Sequence, residues 1–367
     1  MRSYLLVLLL AASVTYLTVP VVRWFALRWH VLAEIRDRDV HSTPIPRLGG
    51  VAVYLGFVAA MLLASRMPLL SPMFTESRDV VGVLVGASLI FLVGVADDVW
   101  GLDAITKLAG QVVAAGVMVV MGVQLLWLPI GGVLSLDFNT SVILTVLVVV
   151  VTVNAVNFVD GLDGLAAGIV GIGALAFFAF SYLLSVERGI DRAMTATLLT
   201  AALAGICAGF LPHNFNPARI FMGDSGSMVI GLLLSASVIT LTGKIDPGSL
   251  VDSSGGRVSW LPAFMPLILP FAILAVPFAD LLLAVVRRTR AGRSPFAPDK
   301  QHLHHRLLEI GHSQRQAVIV MYLWAAAVAI GAAMTAFTNA TLGIVVGLTI
   351  AVLAVLATRW RPAEVPS

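Results

Sequence analysis

Long apolar runs recur along the whole chain, and they constrain its fold more than any other feature. Each run has about 17 to 25 residues, which is enough to cross a hydrocarbon layer of about 30 Å as an α-helix. The composition agrees, because 59% of the residues are hydrophobic and only 12% are charged. Such a chain cannot fold around one water-soluble core, and the sequence predicts an all-α, polytopic membrane protein.

Eleven runs are bounded by charged residues, glycine or proline, and we predict that each is a transmembrane helix of one domain over residues 1–367. The odd number would place the two termini on opposite sides of the membrane. The apolar segment near residues 124–137 is too short to span, and we expect a small external hairpin there. The predicted spans lie near residues 4–27, 48–65, 80–96, 104–121, 141–159, 164–184, 194–211, 226–242, 262–286, 317–337 and 340–358.

The distribution of lysine and arginine predicts how these spans are oriented. The odd-numbered loops and the C-terminal tail carry fifteen basic residues, whereas the N-terminus and the even-numbered loops carry seven. Because cytoplasmic loops are enriched in Lys and Arg, we expect the N-terminus outside and the C-terminus in the cytoplasm. Membrane orientation therefore accounts for the net charge of +3, and we expect no nucleic-acid partner.

Polar clusters fall on the predicted cytoplasmic side, near residues 28–47, 97–107, 157–163, 212–225 and 287–316. Asp97 and Asp98 end the third span, where ionised groups are costly unless they face a polar cavity. The pair could cap a helix, or it could bind Mg²⁺, which prefers oxygen ligands. The sequence leaves both interpretations open.

Two further clusters offer more oxygen ligands. Asn157, Asp160 and Asp163 lie within seven residues between two spans, which is more than a polar helix–helix turn needs. Asp224 comes just before the eighth span, where it or Ser225 could be the N-cap. The same helix N-terminus could instead bind a phosphate, because its first N–H groups are free.

A histidine-rich run favours anion binding over zinc binding. Its basic neighbours would repel a cation, and the only cysteine, Cys207, lies inside an apolar run. A loop that touches lipid phosphates would explain part of the positive charge, but it would not explain the histidines. The predicted anion-binding residues are His302, His304, His305 and Arg306.

Together these groups predict a membrane-embedded phosphotransferase. Phosphoryl transfer needs a divalent metal, cationic groups that hold phosphate oxygens, and a carboxylate that positions or deprotonates the attacking group. An ion-coupled transporter is a second hypothesis, although its site should lie near the bilayer midplane and no inverted repeat is visible. A non-catalytic scaffold is a third, and it predicts that Asp97→Asn and Asp224→Asn are tolerated.

The clusters occur as ordered motifs along the chain. The motifs are Pro46-Arg47-Leu48-Gly49-Gly50, Asp97-Asp98 followed by Lys107-Leu108-Ala109-Gly110-Gln111, Asn157-Phe158-Val159-Asp160-Gly161-Leu162-Asp163-Gly164, Asn216-Pro217-Ala218-Arg219-Ile220-Phe221-Met222-Gly223-Asp224-Ser225-Gly226-Ser227 and His302-Leu303-His304-His305-Arg306. In these motifs the chain resembles the polyprenyl-phosphate N-acetylhexosamine-1-phosphate transferases from about residue 37 to residue 318. The branch of that family that uses UDP-GlcNAc has a similar His-x-His-His-Arg run.

The resemblance implies a reaction and its substrates. Members of the family move a sugar-1-phosphate from a UDP-sugar to a polyprenyl phosphate and release UMP, at the cytoplasmic face of the bacterial plasma membrane. We therefore expect UDP-GlcNAc as donor, undecaprenyl or decaprenyl phosphate as acceptor, and Mg²⁺ as cofactor, with Mn²⁺ as the alternative metal. UDP-GalNAc and UDP-MurNAc-pentapeptide are alternative donors, and the resemblance makes a homodimer plausible.

The resemblance also implies roles for residues that match the motifs. The catalytic residues would be Asp97, Asp98, Asp160 and Asp163. The metal ligands would be Asp98, Asn157 and Asp224. The substrate-binding residues would be Arg47, Lys107, Asp163, His302, His304, His305 and Arg306.

Overall fold

The structure, a computed structural model, describes residues 1–29, 31–32, 45–128, 134–188, 193–244, 286, 289–290, 292, 311–337 and 340–359. These residues form a helical bundle with one short hairpin. The helices are α1 (Arg2–Arg28), α2 (Gly49–Ala64), α3 (Pro72–Thr75), α4 (Asp79–Trp100), α5 (Ala104–Val120), α6 (Phe138–Val159), α7 (Leu165–Arg188), α8 (Ala193–Asn214), α9 (Gly223–Lys244), α10 (Gln314–Phe337) and α11 (Ala340–Arg359).

The described helices agree with the predicted spans. Nine of them are long and apolar enough to cross a membrane, and α5 is a shorter apolar helix. Ten of the eleven predicted spans have a helix at the predicted place, so the prediction of an all-α polytopic membrane protein is confirmed. The span predicted near 262–286 lies outside the described residues except for its last position. The total number of spans and the orientation of the termini stay predictions.

Helix α9 lies at the centre of the bundle. Its membrane-spanning part is entirely buried, and it packs against α2, α4, α6 and α8. Several of its small polar side chains are satisfied locally, since the hydroxyls of Ser235, Ser237 and Thr240 donate to carbonyls of the preceding turn. A helix that satisfies its own polar groups can be buried in apolar surroundings. Neighbouring helices therefore fix the first turn of α9 from several sides.

Small residues let α8 and α1 approach each other closely. Gly205 and Gly209 on α8 lie against the backbone of Leu8 and Ala12 on α1, where any larger side chain would clash. Lipid offers no hydrophobic driving force for helix association, so close van der Waals packing of this kind holds the helices together. Helix α10 packs in turn against α7 and α11.

A β-hairpin connects α5 to α6. Strand β1 (Trp127–Leu128) pairs in antiparallel register with β2 (Leu134–Ser135), and Trp127 lies opposite Ser135. The hairpin predicted near 124–137 is therefore present, and its location outside the cell stays a prediction. It lies at the end of the bundle opposite the polar clusters, because α5 and α6 carry those clusters at their other ends.

Candidate active site

The turn between α4 and α5 brings an acidic and a basic side chain together. Gly101 ends α4 in the left-handed conformation, with φ of 68°, which costs glycine little. Asp103 then caps α5, because its carboxylate accepts hydrogen bonds from two backbone N–H groups of the first turn at 2.9 and 3.0 Å. Lys107 follows one turn later, and its Nζ donates to Asp97 Oδ2 at 2.9 Å.

Asp98 caps helix α9 from the neighbouring helix α4. Its carboxylate accepts hydrogen bonds from the N–H groups of Asp224 and Ser225 at 2.8 and 3.0 Å, and from the Ser225 hydroxyl at 2.6 Å. Gly223 makes room, since a Cβ there would lie 2.5 and 2.6 Å from the Asp98 oxygens. The free N–H groups and the dipole of a helix N-terminus stabilise such a carboxylate. The sequence suggested Asp224 or Ser225 as the N-cap, but the capping acceptor is Asp98.

Asp97, Asp98 and Asp224 form an acidic cluster. One carboxylate oxygen from each lies within 4.8 Å of the other two. The Lys107 Nζ bridges two of them, at 2.9 Å from Asp97 Oδ2 and 2.6 Å from Asp224 Oδ2. Because the cluster combines three carboxylates with one ammonium, it offers a site at which a divalent cation with oxygen ligands would balance negative charge. The donor set therefore fits Mg²⁺ or Mn²⁺.

Asn157 reaches the cluster from the end of α6. Its Nδ2 donates to Ser227 Oγ at 2.9 Å, and Ser227 Oγ donates to the Gly223 carbonyl at 3.0 Å. These bonds hold the amide against the first turn of α9, within interacting distance of Asp224. The position agrees with the predicted metal ligand, and that role stays a prediction.

Asp160 follows α6 directly and places a further carboxyl group in the same region. Removal from water raises the pKa of the Asp160 carboxyl well above its usual range, and the nearby carboxylates of Asp224 and Asp98 act in the same direction. The positive charge of Arg47 opposes this shift. Asp160 therefore lies within electrostatic reach of the cluster, and Arg47 lies within reach of Asp160. Their catalytic and substrate-binding roles stay predictions.

Asp163 is bound to the loop that precedes α9. Its Oδ2 accepts hydrogen bonds from Asn216 Nδ2 at 2.9 Å and from the Ala218 N–H at 3.0 Å, and the side chain is only 2% exposed. Asn216 Nδ2 also donates to Gln314 Oε1 at 2.6 Å. Asn216 thus connects Asp163 to the start of α10. Its catalytic and nucleotide-binding roles stay predictions.

The glycine-rich motif at 46–50 holds the residues just before α9. The Phe221 N–H donates to the Pro46 carbonyl at 2.9 Å. The N–H groups of both motif glycines donate in return to the carbonyls of Phe221 and Met222, at 3.0 and 2.8 Å. A side chain at either glycine would clash with this backbone or with the start of α9. The motif therefore forms a backbone support for the site and places Arg47 at its edge.

Four further residues that position the site were not predicted as site residues. Ser225 supplies a hydroxyl to Asp98, and Gly94 on α4 lies against Ser225. Gln111 follows Lys107 by one turn of α5 and is 1% exposed, and its Oε1 accepts a hydrogen bond from Asn154 Nδ2 at 2.6 Å. Gln111 and Asn154 could have been noticed, because polar side chains inside apolar spans are expensive and usually have a partner.

The histidine-rich run lies outside the described residues. Substrate binding by His302, His304, His305 and Arg306 therefore stays a prediction. The structure describes the chain again from residue 311, and there it returns to the site. Arg315 Nε donates to the Asn216 carbonyl at 2.7 Å, beside the loop that Asp163 holds.

Comparison with known proteins identifies the family. The family model of glycosyl transferase family 4 matches residues 80–242, a range that contains Asp97, Asp98, Asn157 and Asp224. Decaprenyl-phosphate N-acetylglucosaminephosphotransferase of Mycobacterium tuberculosis is 49% identical over 344 residues, which cover 92% of this chain and 84% of that protein. The protein of the same name from Mycolicibacterium smegmatis is 48% identical, with coverage of 92% and 83%. Undecaprenyl-phosphate alpha-N-acetylglucosaminyl 1-phosphate transferase of Pasteurella multocida is 30% identical, with coverage of 85% and 80%. The chain therefore belongs to glycosyl transferase family 4, among the polyprenyl-phosphate N-acetylhexosamine-1-phosphate transferases that its motifs resemble.

Proposed function

We propose that this protein transfers N-acetylglucosamine-1-phosphate from UDP-GlcNAc to a polyprenyl phosphate and releases UMP. The observation that carries the proposal is the acidic cluster of Asp97, Asp98 and Asp224, which Lys107 bridges at one end of a membrane bundle. The names of the relatives support N-acetylglucosamine as the sugar and a decaprenyl or undecaprenyl acceptor. The bacterial sources of these relatives support a plasma-membrane location.

Metal dependence is part of the proposal. Asp97, Asp98 and Asp224 offer carboxylate oxygens close enough to share one ion, and Asn157 lies beside them. A bound Mg²⁺ or Mn²⁺ would neutralise charge on the diphosphate of the donor. Lys107 already lies among these carboxylates, and we propose that it and Arg47, which acts electrostatically on Asp160, contact phosphate oxygens of the substrates.

The reaction that we propose is a direct displacement. An oxygen of the lipid phosphate attacks the β-phosphorus of UDP-GlcNAc, a new P–O–P linkage forms, and the bond to the departing UMP breaks. Asp97 orients the lipid phosphate. It is not needed as a strong base, because a phosphate with a second pKa near 6 is largely ionised at neutral pH. A two-step route through an aspartyl intermediate is the alternative. A phosphosugar adduct on Asp97 or Asp98 in the absence of acceptor would favour that route.

We also propose that the site faces the cytoplasm. The ends of α4, α6 and α9 that carry the cluster share one side of the bundle with the C-terminal end of α1, because Arg23 Nε donates to the Arg219 carbonyl at 3.0 Å. Basic residues are concentrated in the loops predicted for this side. A nucleotide-sugar donor in the cytoplasm would reach the site directly from there.

The alternatives make different demands on the site. UDP-GalNAc or UDP-MurNAc-pentapeptide as donor would keep the chemistry and change only the sugar contacts. A transporter would need its binding site near the middle of the bilayer, whereas the described cluster lies at helix ends. A scaffold would tolerate loss of the carboxylates.

One assay separates these functions. Purified protein in detergent is given Mg²⁺, polyprenyl phosphate and one UDP-sugar at a time, and UMP release is measured. We expect acceptor-dependent release from UDP-GlcNAc, which Asp224→Asn lowers about a hundredfold or more. Asp137→Asn is the matched control, because Asp137 caps α6 at the opposite end of the bundle. UMP release from another UDP-sugar alone would mean that the proposed donor is wrong. If no UDP-sugar gave UMP release, the proposed reaction would be contradicted.

A further inference from the structure

The Lys107 ammonium lies between two carboxylates of the acidic cluster. Its Nζ is 2.9 Å from Asp97 Oδ2 and 2.6 Å from Asp224 Oδ2. The side chains of Lys107, Asp97 and Asp224 are 24%, 12% and 22% exposed, so these ion pairs are largely shielded from water. Without the ammonium, the two carboxylates would repel each other across a poorly hydrated gap.

Asp98, the third carboxylate, is held by other groups. The N–H groups of Asp224 and Ser225 and the Ser225 hydroxyl all donate to it. A cation that enters the cluster therefore finds Asp98 fixed as the cap of α9. The oxygens with the most freedom to rearrange are those that Lys107 holds, on Asp97 and Asp224.

An ammonium and a divalent metal compete for these oxygens. Mg²⁺ binds carboxylate oxygens at about 2.0–2.1 Å, and a lysine nitrogen bound to the same atoms would lie very close to the metal. Two cations at that separation repel strongly where water is largely excluded. We propose that Lys107 is an internal counter-ion, which holds Asp97 and Asp224 together in the metal-free protein and leaves them when a divalent metal binds.

This inference rests on the proposed function, because it assumes a metal at the cluster, and it adds an order of events. Before the metal binds, Lys107 keeps the carboxylates in place. Afterwards its ammonium is available for the phosphate oxygens of the donor. The Asp103 cap and the Gly101 turn fix the start of α5, so the exchange requires movement of the flexible lysine side chain only.

Amine labelling tests this exchange directly, because the lysines of the chain are Lys107, Lys244 and Lys300. An ammonium held by two carboxylates is protonated and shielded, so it reacts slowly with an acetylating reagent. We expect Mg²⁺ to raise the acetylation rate of Lys107 about tenfold in the full chain in detergent, measured by mass spectrometry. Lys244 is the internal control, because it ends α9 about 30 Å from Asp224. An unchanged or lower rate at Lys107 would overturn the inference.

Metal affinity gives a second, independent measurement. Mn²⁺ takes the same oxygen ligands and can be titrated by electron paramagnetic resonance. We expect Lys107→Met to bind Mn²⁺ about tenfold more tightly than the unchanged protein, and Lys244→Met to bind it equally well. Lys107→Gln replaces Lys107→Met if the latter does not fold. Equal or weaker Mn²⁺ binding after loss of Lys107 would mean that the lysine supports the metal rather than competing with it.

Neither measurement uses donor or acceptor, so this inference and the proposed function can fail separately. Release of Lys107 by metal, without UMP formation from any donor, would contradict the proposed function and keep the counter-ion role. Metal-dependent UMP formation with a Lys107 that stays protected would contradict the counter-ion role alone.

Discussion

The adjacent side chains of Asp97 and Asp98 at the end of α4 have different hydrogen-bond partners. Asp97 contacts the Leu102 N–H and Lys107, in a partly exposed setting. Asp98 accepts hydrogen bonds from N–H groups in the first turn of α9, where Ser225 is fully buried. We expect Asp98→Ala to destabilise the protein by about 1–3 kcal/mol more than Asp97→Ala, because it leaves buried donors without an acceptor. Thermal unfolding of the metal-free protein in detergent measures this, and equal losses would contradict the capping role.

Asp160 gives a prediction about pH. The pKa of Asp160 is raised in the folded protein, so folding favours the protonated carboxyl. As far as this group is concerned, the free energy of unfolding is highest below the unfolded pKa near 4. It falls as the pH rises through the pKa of the folded protein. Asp160→Asn should therefore raise the melting temperature at pH 7 to 8, and the gain should shrink as the pH approaches about 4. Melting curves of both proteins from acidic to neutral pH provide the test. A difference that does not vary with pH would argue against the raised pKa.

The residue types at the site could be predicted, whereas their partners could not. Metal or phosphate chemistry is indicated by the adjacent carboxylates at a membrane edge and by the Asn/Asp-rich turn. These residue types can be recognised without knowing how the helices pack. That Asp98 caps α9 depends on a contact across 126 positions, and the bond from Lys107 to Asp224 spans 117. No local pattern encodes such pairings. The same limit explains why Asp163, predicted to bind substrate, was not anticipated as an acceptor for the loop before α9.

Glycines determine how closely α4 approaches the first turn of α9. A Cβ at Gly94 would lie 2.6 Å from the Ser225 nitrogen, which is too close for any real contact. Gly94→Val should therefore push the two helices apart and reduce UMP release about a hundredfold or more, although no carboxylate is changed. Gly116→Val is the matched control, since a Cβ at Gly116 on α5 meets open space. Full activity of Gly94→Val would show that the site tolerates a looser α4–α9 contact.

Helix positions were predicted better than helix ends. Helix α4 continues to Trp100 and α9 begins at Gly223, although apolar windows suggested 80–96 and 226–242. In both cases the helix includes charged residues, because Lys107 and the N–H groups of α9 compensate the carboxylates. Hydropathy alone ends a span at the first charge, and it cannot recognise a charge that a partner neutralises. The four-residue helix α3 was not predicted, since it lies in a short connector.

Sidedness belongs to the assembled bundle and can be tested by labelling in intact cells. In a Cys207→Ala background, Glu76→Cys and Ala104→Cys place single exposed thiols at opposite ends of the bundle. We expect a membrane-impermeant maleimide to label the cysteine at position 76 in intact cells and the one at position 104 only after lysis. The reverse pattern would place the acidic cluster outside the cell.

The order of burial among the helices was beyond sequence analysis. Helix α11 is more apolar than α9, yet α11 is largely exposed and α9 is entirely buried. Lipid and protein interior are both apolar, so the hydrophobicity of a span does not tell which of them surrounds it. What distinguishes α9 is its small and hydroxyl-bearing side chains, which allow four helices to approach it closely.

The cap on α9 also has a consequence for biosynthesis. Asp98 enters the membrane with α4, and the N–H groups that donate hydrogen bonds to it emerge from the ribosome about 126 residues later. At about 5–20 residues per second, the nascent chain spends roughly ten seconds with its acidic pair inserted and α9 still missing. The central helix must then enter between neighbours that are already in place. The acidic cluster is therefore complete, and able to act on the UDP-sugar and the lipid phosphate, only after translation has passed α9. The early insertion of Asp97 and Asp98 does not change this.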